Sequence, residues 1–275
     1  MTPDAVRAAL ALPPGGAPAR RIPKAVLAEH GGLTTADRKL LDRTVERLDW
    51  LATLSPATIG VAASDDVDHP VPAIQVLALT VRAEPVRRLL LMLHRAIPVP
   101  VLLLSTYEST LHLSLAPLRR AERVADQMVV ERLVLAPPLH EPLDGVGRAF
   151  LASLALPGLP RTTLGAVHDA LLWRVEALQA ARAAGVPFRL APDAAAAALL
   201  RARLAEHVEL DTKWLAARAV ARAEGRLARQ VELAEAARRI KRRLDAVTAS
   251  LAYDGTNHTP PLCGTASPTP SRNTA

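Results

Sequence analysis

The chain has 275 residues and half of them are apolar, enough to bury one large core or two small ones. Its one cysteine, Cys263, excludes an intrachain disulfide and a cysteine metal cluster, and no apolar run reaches the ~18 residues of a membrane helix. With no basic-then-apolar leader at its start and a net charge of +7, it is expected to be cytoplasmic, off the membrane and to meet an anionic partner.

In chain order, Pro3 to Leu12 predicts a short helix stopped by Pro13-Pro14-Gly15-Gly16. Pro23 opens a second helix over 25–29, closed by Gly31-Gly32. Thr34 or Thr35 caps a longer helix. Its stripe of Leu40, Leu41, Val45, Leu48, Leu51 and Leu54 keeps 3–4 spacing up to Pro56. Residues 58–62 are a strand candidate, 64–72 an acidic loop and 73–81 an apolar strand. Pro85 then opens a helix whose stripe is Val86, Leu89, Leu90 and Leu93. It ends near His94-Arg95, because Ile97 precedes Pro98. Residues 99–107 form a continuous apolar strand with Pro98 and Pro100 at its entry. Glu108-Ser109 makes a two-residue turn into the alternating strand 110–116, and an edge strand follows near 127–135.

Five prolines in 136–162 suggest a linker, with a short helix at 145–154. Helix 163–184 follows, stopped by Gly185-Val186-Pro187. Pro192-Asp193 starts a further helical region, broken near Asp211, that runs to about Leu251. The remainder is rich in Thr, Pro, Ser, Gly and Asn. The expected organisation is an α/β or α+β domain with a small mixed sheet over 1–136 and a Pro-rich linker over 137–162. An all-α arm of helical-hairpin or coiled-coil type (163–251) and a disordered tail (252–275) complete it.

The charge is concentrated in the arm. Residues 218–243 hold nine basic side chains and three acidic ones, Glu224, Glu232 and Glu235. At about 100° per residue, Arg218, Arg222, Arg226 and Arg229 form one stripe. From Leu233 onward, Leu233, Ala237, Ile240, Leu244, Val247 and Leu251 follow a 4-3 seam on that same azimuth. The helix must therefore kink near 225–233 or change partners along its length. The seam is expected to dock on another helix or a second protomer, with helix 163–184 of the same chain as the plainer choice.

The arginine stripe, with Arg239, Arg242 and Arg243, is the candidate phosphate contact. The alternative is a solvated helix face with local ion pairs to the three glutamates. Trp214 alone makes no base-stacking platform. Asp65, Asp66, Asp68 and His69 lack the spacing of a calcium loop and read as a solvated turn, so no metal is expected. His94 and Arg95 follow a helix C-terminus, which favours positive charge. With Arg119 and Arg120 they are a candidate groove. No phosphate loop, nucleophile elbow or His-Glu-x-x-His string occurs, so no catalytic residue and no cofactor is assigned.

The string His94-Arg95-Ala96-Ile97-Pro98-Val99-Pro100-Val101-Leu102-Leu103-Leu104 resembles the core of an uncharacterised bacterial family, domain of unknown function 4391. Arg21-Ile22-Pro23-Lys24, Thr35 to Leu40 leading to Asp49-Trp50-Leu51, and Val231-Glu232-Leu233 agree with it, over roughly residues 20–250. The resemblance implies a place beside helicases and DNA methyltransferases in bacterial defence or restriction loci, and it supplies no catalytic residues. The resulting expectation is a non-catalytic accessory protein that binds such a partner, DNA phosphates, or both. One alternative is an enzyme subunit, nuclease-like or nucleotide-processing, with a site at the strand ends near Tyr107 and Arg119-Arg120. A second is a structural homodimer through the 233–251 seam.

Overall fold

The structure is a computed structural model, and it describes residues 3–12, 20–30, 33–122 and 127–252. Cys263 and the expected tail beyond Ala252 lie outside the described residues.

The first helices are short and locally encoded. α1 spans Pro3–Ala9, the two-residue strand β1 Arg20–Arg21, α2 Lys24–His30 and α3 Thr35–Thr44. Thr34 caps α3. Its hydroxyl accepts the Asp37 N–H at 3.2 Å, and the Asp37 carboxylate accepts the Thr34 N–H at 3.2 Å.

The helix expected to continue to Leu54 stops at Thr44, and Val45–Leu54 is strand β2. The reason is geometric. β2 pairs antiparallel with β3, Ile74–Val81, and its register slips twice, between Val45 and Arg47 and between Trp50 and Ala52. Each bulge adds one residue to a two-residue repeat, so inward-facing side chains fall at helix-like spacing. Val45, Leu48 and Trp50 pack on one sheet face, and Leu51, Ala52 and Leu54 on the other. The strand expected at 58–62 is instead the turn of helix α4, Pro56–Ile59, closed by Gly60 in the left-handed region at φ 65°.

Helix α5, Arg87–Ala96, carries the chain from β3 to β4, Val101–Tyr107, which lies parallel to β3. Leu77, Leu79, Val101 and Leu103 enter one core while Val76, Ala78, Leu102 and Leu104 enter the other, so both strands are buried on both faces. A fully buried leucine contributes roughly 1.5–3 kcal/mol, which makes this pair the centre of the fold. Glu108, at φ 51°, turns the chain into β5, Thr110–Leu115. The short strands β6 (Leu118–Arg120) and β7 (Met128–Val130) pair with each other in a separate ribbon. β8 (Val134–Leu135) and β9 (Leu139–His140) pair with β5. The edge strand expected over 127–135 is thus divided between the ribbon and the sheet. The mixed sheet runs β1-β2-β3-β4-β5-β8, with β9 also on β5.

One sheet face is covered by α1, by α6 (Gly145–Ser153) and by α7 (Leu164–Ala184); the other by α2, α3 and α5. Residues 137–162, expected as a Pro-rich linker, bury Leu139, Phe150, Leu151, Leu154, Leu156 and Leu159 in the first core. Their prolines punctuate short packed elements. Phe150 meets Phe188 edge-on, with ring centroids 5.9 Å apart.

Beyond α7 lie α8, Ala194–Ala223, and α9, Leu227–Leu251. The break expected near Asp211 falls inside a continuous α8. One aspartate is a mild helix disfavour, whereas Glu224-Gly225 ends the helix and the Glu224 carboxylate accepts the Arg226 N–H at 2.9 Å. α9 then runs back along α8, with Leu244 and Val247 against Leu210 and Trp214, and Leu251 against Leu204 and Ala180 of α7. The later seam residues are therefore covered within this chain; Leu233 and Ile240 remain partly exposed. No helix among the described residues is long and apolar enough to cross a membrane.

Candidate functional site

The arm joins the sheet at a buried charge. Glu176, 2% exposed, sits on α7 in a helix that is apolar almost all round. Its Oε1 accepts from Arg132 at 2.8 Å and from Arg201 Nε at 2.8 Å, and its Oε2 accepts from Arg201 Nη2 at 3.3 Å. Arg132 comes from the link between β7 and β8, Arg201 from α8. One carboxylate thus ties sheet, α7 and arm together, and its two partners keep part of their surface in water. Beside it, burial raises the Asp169 carboxyl, while Arg201 and His69 pull the other way.

Behind this cluster are two buried imidazoles. His94 Nε2 lies 2.9 Å from the Ser114 hydroxyl. Burial, with His168 adding to it, holds His94 down to about 3. His168 is held down to about 4 by burial and then by Arg132, and its Nε2 has no hydrogen-bond partner. Neither imidazole is a good base, and at 2% and 3% exposure both are closed to a substrate.

The candidate groove of His94, Arg95, Arg119 and Arg120 is not one site. His94 points into the core. Arg120 donates from Nε to the Val67 carbonyl at 2.9 Å and from its backbone to Asp68 at 2.8 Å, fastening the acidic loop to the ribbon. Arg119 stays near, with Nη1 on the Arg120 carbonyl at 3.0 Å. In that loop the Asp66 carboxylate accepts the N–H groups of Asp68 and His69, at 2.9 and 2.7 Å, which is turn formation. Tyr107 pairs with Thr110 at the start of β5, whereas Arg119-Arg120 follow the other end of that strand in the β6–β7 ribbon. Arg95 lines a cavity. That cavity, about 690 Å³, opens where α5 hands over to β4.

At the far end of the arm, the predicted arginine stripe folds over on itself. Arg218 and Arg222 are on α8, Arg226 is in the break and Arg229 is on α9. A groove of about 440 Å³ lies between the helices there, because Ala221, Ala234 and Ala237 leave its floor shallow. Arg218 and Arg222 line one wall, Arg238 and Lys241 the other. Trp214 lies under two of them, with Arg218 5.3 Å and Lys241 5.4 Å from its ring centroid. Local pairing is sparse. Arg229 reaches Glu232 at 2.7 Å, Arg243 reaches Glu206 at 2.7 Å, and Lys241 pairs with Asp245. Among the described residues, Arg218, Arg222, Arg226, Arg238, Arg239 and Arg242 have no carboxylate within 4.0 Å.

Sequence reasoning did not single out Arg132, Glu176, Arg201 or His168, nor place Arg238 and Lys241 in a groove. A usable signal existed for α7: Arg174 and Glu176 fall within the apolar run from Ala170 to Leu178, and a polar side chain inside such a run demands buried partners. Arg174 finds three carbonyls, of Ser153 and Ala170 at 2.8 Å and Gly158 at 3.4 Å.

No curated protein and no solved structure matches the chain. A family model described as a domain of unknown function (DUF4391) matches residues 10–244, most of the fold including the sheet, the buried Glu176 joint and nearly all of the basic arm, and the chain belongs to that family.

Proposed function

We propose that this protein is a non-catalytic accessory component of a bacterial DNA-defence or restriction-type assembly, contacting DNA phosphates through the tip of the α8–α9 arm. We read that arm as a helical hairpin with a coiled-coil-like seam. The observation that carries the proposal is the set of six arginines, from the tip to the middle of the arm, without carboxylate partners among the described residues. Unpaired exposed cations repel one another unless an anion joins them, and a row of phosphates supplies such anions at short spacing. Contacts to phosphates give affinity without base selectivity, because the backbone is the same at every sequence. The locus context implied by the family resemblance makes a helicase or DNA methyltransferase the partner of the sheet body. The experiment is binding of the full chain to a labelled duplex across a salt series. A variant with Arg218, Arg222 and Arg238 changed to Gln runs beside it. Wild-type binding should fall steeply with salt, and the variant should lose about three units of the log–log slope, roughly 0.9 per phosphate contact. Failure to bind at low salt refutes the phosphate contact.

A second reading, docking of the tip on an acidic partner protein, is favoured by exposed apolar side chains. Val220, Leu227 and Val231 are 56%, 75% and 50% exposed around the break, and phosphates make no use of them. Homodimerisation through the 233–251 seam has less support, because a second copy would have to displace Leu210 and Leu204 from Leu244, Val247 and Leu251. Sedimentation as a monomer would remove it.

A further inference from the structure

We propose that the cavity at the junction of α5 and β4 binds a small amphipathic carboxylate, its apolar body inside and its anionic head on Arg95. The site is independent of the arm and of the reading given for it.

The cavity follows from the backbone. Pro98 and Pro100 force the chain to leave α5 extended, so Ala96 to Val99 line an opening instead of closing on the sheet. Trp50 and Leu77 of the sheet and Val26 and Leu27 of α2 make the other walls. At about 690 Å³ the space is within the range of small-molecule sites. Val26 is 40% exposed here, apolar surface left in water beside the opening.

The polar side chains in the lining are few: Gln75, Arg95 and Gln127. The Gln75 amide oxygen accepts the Thr53 hydroxyl at 2.8 Å, which leaves its NH₂ group for the cavity. Trp50 spends its indole N–H on the Ala52 carbonyl at 3.0 Å, so the ring is fixed as a wall. Arg95 is exposed at the rim and has no hydrogen-bond or ion-pair partner among the described residues. Among the described residues no carboxylate lines the cavity. An apolar chamber whose polar positions are an unpaired guanidinium and two side-chain amides, one cation and no anion among them, is complementary to an apolar molecule ending in an anionic acceptor. A neutral molecule leaves the guanidinium unused, and a cation is repelled by it. A second protein chain is a poorer fit, because its backbone would bring N–H donors that need acceptors and the lining side chains offer few.

The test is calorimetric titration of the full chain with decanoate and with decanol. Two variants, Arg95→Gln and Val26→Trp, are titrated alongside and checked for native circular dichroism. Val26 is partly exposed, so the indole can fill the opening without disturbing the core. The expected result is that wild type binds decanoate about tenfold more tightly than decanol, the worth of one charge-assisted hydrogen-bonded contact. Arg95→Gln should erase that preference while leaving decanol binding unchanged, and Val26→Trp should abolish both. Equal affinities in wild type, no binding of either probe, an unchanged preference in Arg95→Gln, or undiminished binding in folded Val26→Trp would each overturn the proposal. None of these outcomes bears on duplex binding by the arm.

Discussion

In the sheet body every strongly buried polar side chain is neutral, paired or held by carbonyls: His94 on Ser114, Glu176 between two arginines, Arg174 on three backbone oxygens. On the outer half of the arm the reverse holds, and six guanidiniums stand in water without carboxylates among the described residues. The difference follows from the cost of each choice. An unpaired charge in the interior costs several kcal/mol, whereas on an exposed helix it costs a few tenths through repulsion by its neighbours. The body spends its polar groups on stability, and the tip is free to keep charge for a partner.

The sharpest way to break this contrast is acid. His94 and His168 are neutral in the fold, held down to about 3 and about 4, while in the unfolded chain they titrate near 6.5. Between those values the unfolded state binds more protons, so stability is full above about pH 6.5 and falls as pH drops toward the folded values. Each imidazole contributes up to about 1.4 kcal/mol per pH unit, so lowering the pH from 7 to 4.5 should remove roughly 5 kcal/mol. Urea denaturation at a series of pH values measures it. His168→Leu should roughly halve the acid slope and leave neutral stability unchanged or higher by about 1 kcal/mol, because it deletes an unpartnered buried nitrogen. A slope unaltered by that substitution would show that the imidazoles do not set it.

Next in size is the joint. Glu176→Ala leaves Arg132 and Arg201 facing each other across a cavity, and should destabilise by about 3 kcal/mol. Glu176→Gln keeps the shape and loses the charge, so it should cost less. If the arm docks through this carboxylate, proteolysis of Glu176→Ala should begin in α8 and α9 before it reaches the sheet. Simultaneous cleavage of both regions would mean that body and arm are not separable in stability.

How much of this could be read from residues alone depended on whether the signal was local. The α5–β4–β5 unit was legible, because the stripe of Leu89, Leu90 and Leu93, the two prolines and the apolar run over 101–107 each act within a few positions. β2 was read as helix, since two bulges gave Val45, Leu48, Leu51 and Leu54 a three-residue period. The arm's azimuth conflict allows either a kink within 225–233 or a change of partners, and the fold breaks at Glu224–Arg226; the break expected at Asp211 is absent, because neighbouring helix formers outweigh one aspartate. The Arg132–Glu176–Arg201 joint was out of reach, because its members are separated by 44 and 25 residues and only the tertiary fold brings them together.

The smallest expected effect tests the arm's paired against its unpaired cations. Arg229 already has Glu232 at 2.7 Å, one turn away on the same helix, whereas Arg222 lines the groove with no carboxylate near it. If phosphates bind the tip, Arg222→Gln should lower the salt slope of duplex binding by about one unit. Arg229→Gln should lower it by less, because that side chain must first give up a surface pair worth about 0–1 kcal/mol, and the freed Glu232 then adds repulsion. The comparison is internal, since both variants lose one positive charge from the same 26-residue stretch and alter net charge equally. Long-range attraction alone would make the two indistinguishable. A difference that vanishes when Glu232 is also changed to Gln would assign it to the pair, and would locate the phosphate contact in the groove between α8 and α9.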